Sequence, residues 1–299
     1  MSTSTTEPTT LRTDGQLLLT AAIWGFAFVA QRAGMEFIGP FTYNGVRFLL
    51  GTISLLPLLL FIKRPRGGRA EGLYLHGVVA GLLLFGGSSL QQVALQFTTA
   101  GKAGFITGLY VVLVPIFGHL LGRRSDRGRW TGAILALGGL YFLSITESFT
   151  LAPGDGLVML CAVFFAGHLL YLSYVAAKLP ALELSVVQYA VCAAASGAVA
   201  LLTETATSED ILSAWLPIAY GGICSVAIAY SLQVYAQKRA HAAHAAIILS
   251  LEGVFAALGG FLLLGELLTA RNILGCTLML LAMLAAQWPQ IRALARVPS

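Results

Sequence analysis

The chain has 299 residues, 57% of them hydrophobic and only 10% charged, with a net charge of +5 and a mean hydropathy of +0.81. A soluble globular chain carries about 25% charged residues. A chain this apolar cannot cover a water-facing exterior, which excludes a soluble domain and points to a polytopic membrane protein.

Residues 1–13 (MSTSTTEPTTLRT) are rich in Ser and Thr and lack apolar periodicity, which reads as a disordered tail. A membrane-crossing helix needs about 20 mostly apolar residues. Such windows follow in order near 16–34, 41–62, 73–96, 102–121, 130–146, 156–176, 184–203, 214–236, 243–264 and 271–288. The first is read as an uncleaved helix rather than a signal peptide, because no A-x-A site follows its apolar stretch. The window at 130–146 is the shortest, a mismatch that tilt or local thinning of the bilayer absorbs. Residues 291–299 form a second tail. The four cysteines, Cys161, Cys192, Cys224 and Cys276, lie inside apolar windows with no CxxC spacing. No disulfide, metal site or cofactor is therefore expected.

With the N-terminus placed in the cytoplasm, fourteen basic residues fall in inside loops and tails, and three (Arg32, Lys102 and Arg271) fall outside. That asymmetry puts both termini in the cytoplasm. It also accounts for the positive charge without nucleic acid, since no surface interleaves basic and aromatic residues.

The two halves of the sequence repeat each other weakly at an offset of about 142. Asp14-Gly15 opens the first window and Asp155-Gly156 the sixth. "TAGKAGFITG" (99–108) aligns with "HAAHAAIILS" (241–250), so that Gly104 and Gly108 answer to Ala246 and Ser250. The division expected is a first five-helix repeat at 14–147 and a second at 148–290. Five is odd, so equivalent helices cross in opposite directions, as in the inverted repeats of many secondary transporters. The fold class expected is an all-α membrane protein of ten transmembrane helices in two inverted halves. The small-residue stripes Gly104/Gly108 and Ala246/Ser250 are expected where spans four and nine cross, with Gly104 facing Ala246.

Polar side chains inside spans are the natural site candidates. Trp24, Phe28 and Gln31 share one face of the first span, and Ser88, Gln92 and Gln96 recur at i+4 steps in the third. The sixth span offers Phe164, His168 and Tyr171; the eighth offers Tyr230, Gln233 and Gln237. Glu252 lies about nine residues into the ninth span, roughly 13 Å deep. Its two readings are a carboxyl facing the cavity and a structural carboxyl bonded to neighbouring helices. Tyr110 aligns with Glu252 under the repeat, which makes it a cavity neighbour. The substrate-binding set is thus Trp24, Phe28, Gln31, Gln92, Tyr110, His168, Tyr171, Tyr230, Gln233 and Glu252. Amides bind ammonium and carboxylate groups and aromatic faces attract cations, so such a pocket suits a zwitterion with an apolar side chain. Arg47, near the outer end of span two, reads as a snorkelling or helix-tying residue. Lys102 reads as a solvated helix end, and Pro115 as a kink. His76, His119, His241 and His244 read as interfacial, and Glu266 and Thr269 as a turn before span ten.

"WGFAF" (24–28), "NGVRFLLG" (44–51) and "LSLEGVFAALGGFLLLGELLTARNILG" (249–275) resemble motifs of the EamA-type drug/metabolite transporter superfamily, over about 16–288 of the chain. Gly253 stands where many members have proline, and Gly122-Arg123 lacks the glycine–glutamate found at Gly265-Glu266. The resemblance implies ten helices around a central cavity and a bacterial inner-membrane location. It is nearest in character to exporters of aromatic and neutral amino acids. The function expected is alternating-access export of such small metabolites by a monomer in the lipid bilayer. Nucleosides, toxic cations and sugar derivatives are the alternative cargoes. A membrane-embedded enzyme is the alternative of another class; no HExxH, nucleophile–base cluster or paired carboxylates within a span supports it.

Overall fold

The computed structural model describes residues 11–61, 71–122, 127–144, 153–267 and, in short pieces, parts of 269–285. Among them every regular element is helical, and eight helices are long and apolar enough to cross a membrane. Three spans are single helices in the first half, α1 (Leu11–Gly34), α2 (Pro40–Phe61) and α3 (Leu73–Ala94). The fourth, Ala100–Leu120, is built from α4 (Ala100–Thr107) and α5 (Tyr110–Leu120). Next comes α6 (Arg127–Ser144), whose apolar part is only Trp130–Gly139. The second half opens with α7 (Pro153–Val175) and α8 (Ala181–Thr203). A surface turn, α9 (Ser208–Ser213), leads to the span Trp215–Gln237, in which α10 (Trp215–Ala219) passes through a π-helical stretch, Tyr220–Tyr230, into α11 (Ser231–Gln237). The span Ala242–Leu264 comprises α12 (Ala242–Leu249) and α13 (Glu252–Leu264). The described residues between 270 and 285 are helical.

The first nine apolar windows fall on helices over their described residues, and the described residues of the tenth are helical, with two differences from the expected bounds. The first helix begins at Leu11, inside the segment assigned to the N-terminal tail; residues 1–10 and the C-terminal tail at 291–299 lie outside the described residues. The second difference is internal. Spans four and nine are each interrupted at the repeat-equivalent place, Gly108-Leu109 and Ser250-Leu251. There the ladder tightens to i→i−3 bonds, Leu109 N–H to Ile106 and Val111 N–H to Gly108, matched by Leu251 N–H to Ile248 and Gly253 N–H to Ser250. Short tightened turns inside a helix mark places where it can bend.

Helix starts are set by local chemistry. Thr99 caps α4 by accepting from the Lys102 N–H at 3.2 Å, and Thr207 with Asp210 forms a capping box on α9. Glu204, just past α8, reaches the start of α2, where its carboxylate accepts from the Phe41 and Thr42 N–H groups at 2.9 and 2.7 Å. Glu266 does the same for α4, accepting from Ala100 and Gly101 N–H at 3.1 and 3.3 Å. Glu266, in the turn after α13, thus also clamps span four: a carboxylate is stabilised by the free N–H groups at a helix N-terminus.

The broad packing surfaces run between the sequence halves: α2 on α8, α3 on α7 and α8, α1 on α13 and the π stretch, and α4 on α13. Glycine permits the closest of these. A Cβ on Gly104 would lie 2.6 Å from the Ala256 Cβ and 3.5 Å from the Gly253 Cα, while one on Gly101 would lie 3.1 Å from Glu266. Spans four and nine therefore cross and run antiparallel, and the neighbour of Gly104 is Ala256 rather than Ala246. Gly108 and Ser250, placed in the same stripes, instead form the two breaks. Ala246 is fully buried in the principal core cluster beside Leu249 and Tyr110. Side chains such as Leu49, Ile53, Leu60, Leu82 and Leu201 point outward; hydrocarbon solvates an apolar belt that water would not.

Candidate functional site

The two broken spans meet at their breaks. Tyr110, the first residue of α5, donates its hydroxyl hydrogen to Glu252 Oε1 at 2.9 Å, and Glu252 is the first residue of α13. The two residues occupy equivalent places in the repeat, 142 positions apart. Glu252 is 3% exposed.

This pair forms one wall of a cavity enclosed by both halves. Helix α1 supplies Trp24, Ala27, Phe28 and Gln31, the i, i+3, i+4, i+7 face expected from sequence. Helix α7 supplies Phe165, His168 and Leu169. From the eighth span come Ser225, Tyr230 and Gln233. The Trp24 indole N–H donates to the Ser225 carbonyl in the π stretch at 3.3 Å, and its ring lies 4.5 Å from that of Tyr230. His168 is 1% exposed; its Nε2 lies 2.9 Å from Gln188 Oε1, and its ring stands edge-on to Tyr230. That matches a hydrogen-bonded packing role beside the cavity.

Arg47 also lines this cavity and is 2% exposed, so it does not snorkel to an interface. Its Nε donates to Asn44 Oδ1 at 2.9 Å, and Asn44 in turn donates to the Ser88 carbonyl at 3.0 Å, tying α2 to α3. The guanidinium lies 5.0 and 5.4 Å from the Phe48 and Tyr43 rings. Neither Arg47 nor Glu252 forms an ion pair with a described residue. The side-chain oxygens of Gln31 and Gln233 are buried without a hydrogen-bond partner among the described residues. The cavity thus presents a fixed cation, a carboxyl group and two spare acceptors between aromatic walls.

Two predicted site residues lie elsewhere. Gln92 is fully buried and donates to the Gln31 backbone carbonyl at 3.2 Å; its neighbour Gln91, bonded to Thr107 Oγ1 at 3.1 Å, lines the cavity instead. Tyr171 sits in a separate apolar crevice with Leu83 and Phe117, its hydroxyl 2.7 Å from His76 Nδ1. Gln96 is exposed, and Gln237 donates to the Leu169 carbonyl and to Ser173 at 2.9 and 3.0 Å. Sequence reasoning left out Gln91, Thr107, Phe165 and Ser225, and gave Arg47 a snorkelling or helix-tying role rather than a place in the site. The small polar residues carry no distinctive spacing, but a lone arginine six residues inside a span was a legible signal.

The cavity has a volume of about 30 Å³. A cavity needs at least about 10–15 Å³ to hold one water, and small-molecule sites are usually several hundred Å³. Its polar lining is buried, and the chamber is contracted.

The model of the EamA-like transporter family matches residues 12–145 and again 152–286, once in each half. An uncharacterized transporter of Archaeoglobus fulgidus is 34% identical over 275 residues, 92% of this chain and 85% of the relative. The uncharacterized transporter YoaV of Bacillus subtilis is 25% identical, covering 86% of this chain and 90% of its own length. The uncharacterized inner membrane transporter YedA of Escherichia coli K12 is 26% identical, with 85% and 84% covered. One solved crystal structure superposes with a TM-score of 0.74 at 20% identity, covering 93% of this chain and 97% of that one, a likeness of fold.

Proposed function

As a multi-pass membrane protein that belongs to the EamA-like transporter family, this chain is a carrier of small solutes, and we propose that its cargo is neutral and aromatic amino acids, exported by alternating access. The observation that supports the cargo is the pairing of Arg47 and Glu252 in one buried cavity with no ionic partner among the described residues. A buried charge without compensation is costly in a membrane. A zwitterion compensates both ends at once: Arg47 takes the carboxylate, while Glu252 with the Gln31 and Gln233 oxygens takes the ammonium. Trp24, Phe28 and Tyr230 take the side chain. A neutral nucleoside and a toxic cation both leave the Arg47 charge unmet.

The proposed architecture is ten spans in two inverted halves, 14–147 and 148–290, with both termini in the cytoplasm of a bacterial inner membrane. The antiparallel crossing of spans four and nine supports the inversion, as does the symmetric pair of breaks. So does the alignment of the starts of α4 and α7, whose Lys102 and Asp155 meet, against the alignment of the starts of α1 and α12, whose Asp14 and His244 meet. Such a plan lets one architecture open to either side by exchanging the conformations of its halves.

Reconstitution in liposomes loaded with a panel of amino acids, nucleosides, organic cations and sugar derivatives tests the reading. Saturable efflux of neutral and aromatic amino acids is expected. Efflux of another class alone would reassign the cargo, and turnover to a modified product would make the protein an enzyme.

A further inference from the structure

We propose that two polar pairs related by the internal repeat, the Asp14–His244 contact and the Lys102–Asp155 ion pair, are latches that hold the two ends of the cavity shut, one on each face of the membrane. Asp14 Oδ1 lies 2.8 Å from His244 Nε2, and Lys102 Nζ lies 2.7 Å from Asp155 Oδ2. Asp14 and Asp155 are 141 residues apart and Lys102 and His244 are 142 apart, so each pair is the other's counterpart at the repeat offset. Each joins the opening helix of one half to the broken span of the other half. The inference rests on the carrier reading above but not on the identity of the cargo.

The two pairs sit at opposite ends of the molecule. The start of α4, which carries Lys102, is clamped by Glu266 beyond the end of α13. His244 is at the other end of the same span, in the first turn of α12. The span Ala242–Leu264 has 23 residues, about 34 Å at 1.5 Å per residue, which places the latches on opposite faces. Each combines a residue hidden in the packing with one at the rim. His244 and Asp155 are 1% exposed, against 16% for Asp14 and 19% for Lys102. Removing Asp14 deprives the buried His244 of its carboxylate, and removing Asp155 deprives Lys102 of its carboxylate at the rim; either loss weakens the contact that holds that end.

Both pairs are formed here around a contracted cavity. Opening one face requires α1 to part from α12, or α7 from α4, and the breaks at Gly108-Leu109 and Ser250-Leu251 let α4 and α12 swing independently of α5 and α13. The geometry of an alternating carrier then follows: one latch opens while the other stays closed.

The test uses the full chain with its four cysteines replaced by serine and a reporter at Ser225→Cys on the cavity wall. A membrane-impermeant maleimide is applied to one face at a time in sealed vesicles. Asp155→Asn is expected to raise the labelling rate at least threefold from the Lys102 face alone, and Asp14→Asn from the opposite face alone. The exchange variant Lys102→Asp with Asp155→Lys is expected to return labelling to the starting rate, which separates a latch from general misfolding. Unchanged labelling in both single variants, equal increases from both faces, or failure of the exchange to restore slow labelling would overturn the proposal. Because no substrate is used, these outcomes are independent of the amino-acid cargo.

Discussion

At the residue scale, Glu252 answers why a carboxyl persists in the run "AIILSLEGVFAAL": it meets its repeat partner Tyr110 and faces a chamber rather than lipid. Glu252→Gln keeps the shape and removes the charge. Amino-acid efflux is expected to fall by about 10–100-fold in that variant, with unchanged elution as a folded species, because a hydrogen bond to a charged group contributes about 1.5–3 kcal/mol. Arg47→Gln is expected to lower efflux to a similar degree. Normal efflux in both would assign these groups a structural role only. The α1 face was legible because Trp24, Phe28 and Gln31 stand at helical intervals in a span with few other polar groups. Of the two readings of Arg47, helix tying holds through Asn44 and snorkelling does not: a long cationic side chain near a span end ordinarily reaches for the interface, but here Asn44 and two aromatic rings hold it inward. His244 and Lys102 were read singly, and only the folded chain brings their acidic partners to them.

At the scale of elements, the apolar windows locate the eight membrane-length helices of the described residues because length and composition alone decide what can span a bilayer. The breaks in spans four and nine and the π stretch at Tyr220–Tyr230 are not visible in that signal, since they are changes of hydrogen-bond register in uniformly apolar sequence. The close crossing of α4 and α13 depends on Gly104. Gly104→Val is expected to destabilise the protein by about 1–3 kcal/mol, read as a lower midpoint of thermal aggregation in detergent. An unchanged midpoint would mean that the helices separate there without cost. The α9 cap offers a pH-dependent counterpart. The Thr207 backbone N–H and hydroxyl hold the Asp210 carboxyl below its ordinary range. A depressed carboxyl stabilises above its unfolded pKa and loses that contribution as pH falls through the folded value, so α9 is expected to fray below about pH 4. Hydrogen exchange at 208–213 should rise several-fold more steeply there than the intrinsic rate accounts for. Thr207→Ala should show faster exchange already at neutral pH, and equal profiles for the two chains would remove the cap from the account.

At the scale of the molecule, the halves are repeats in sequence but not separate bodies in space, because the long helices α1, α2, α3, α7 and α8 find their broadest neighbours in the other half. The repeat was legible from Asp14-Gly15 and Asp155-Gly156 and from the two small-residue stripes. The interleaving was not, since alignment carries no information on which faces meet. The cavity belongs to neither half, and its contracted volume of about 30 Å³ requires the halves to move apart before any metabolite enters. The most direct test of a cavity polarised by Arg47 and Glu252 is counterflow of phenylalanine against its charge-deleted analogues in proteoliposomes. Phenethylamine lacks the carboxylate and hydrocinnamate lacks the ammonium. The wild-type chain is expected to carry phenylalanine at least tenfold better than either, Arg47→Gln to erase the disadvantage of phenethylamine, and Glu252→Gln that of hydrocinnamate. Equal transport of all three compounds by the wild-type chain would contradict the account.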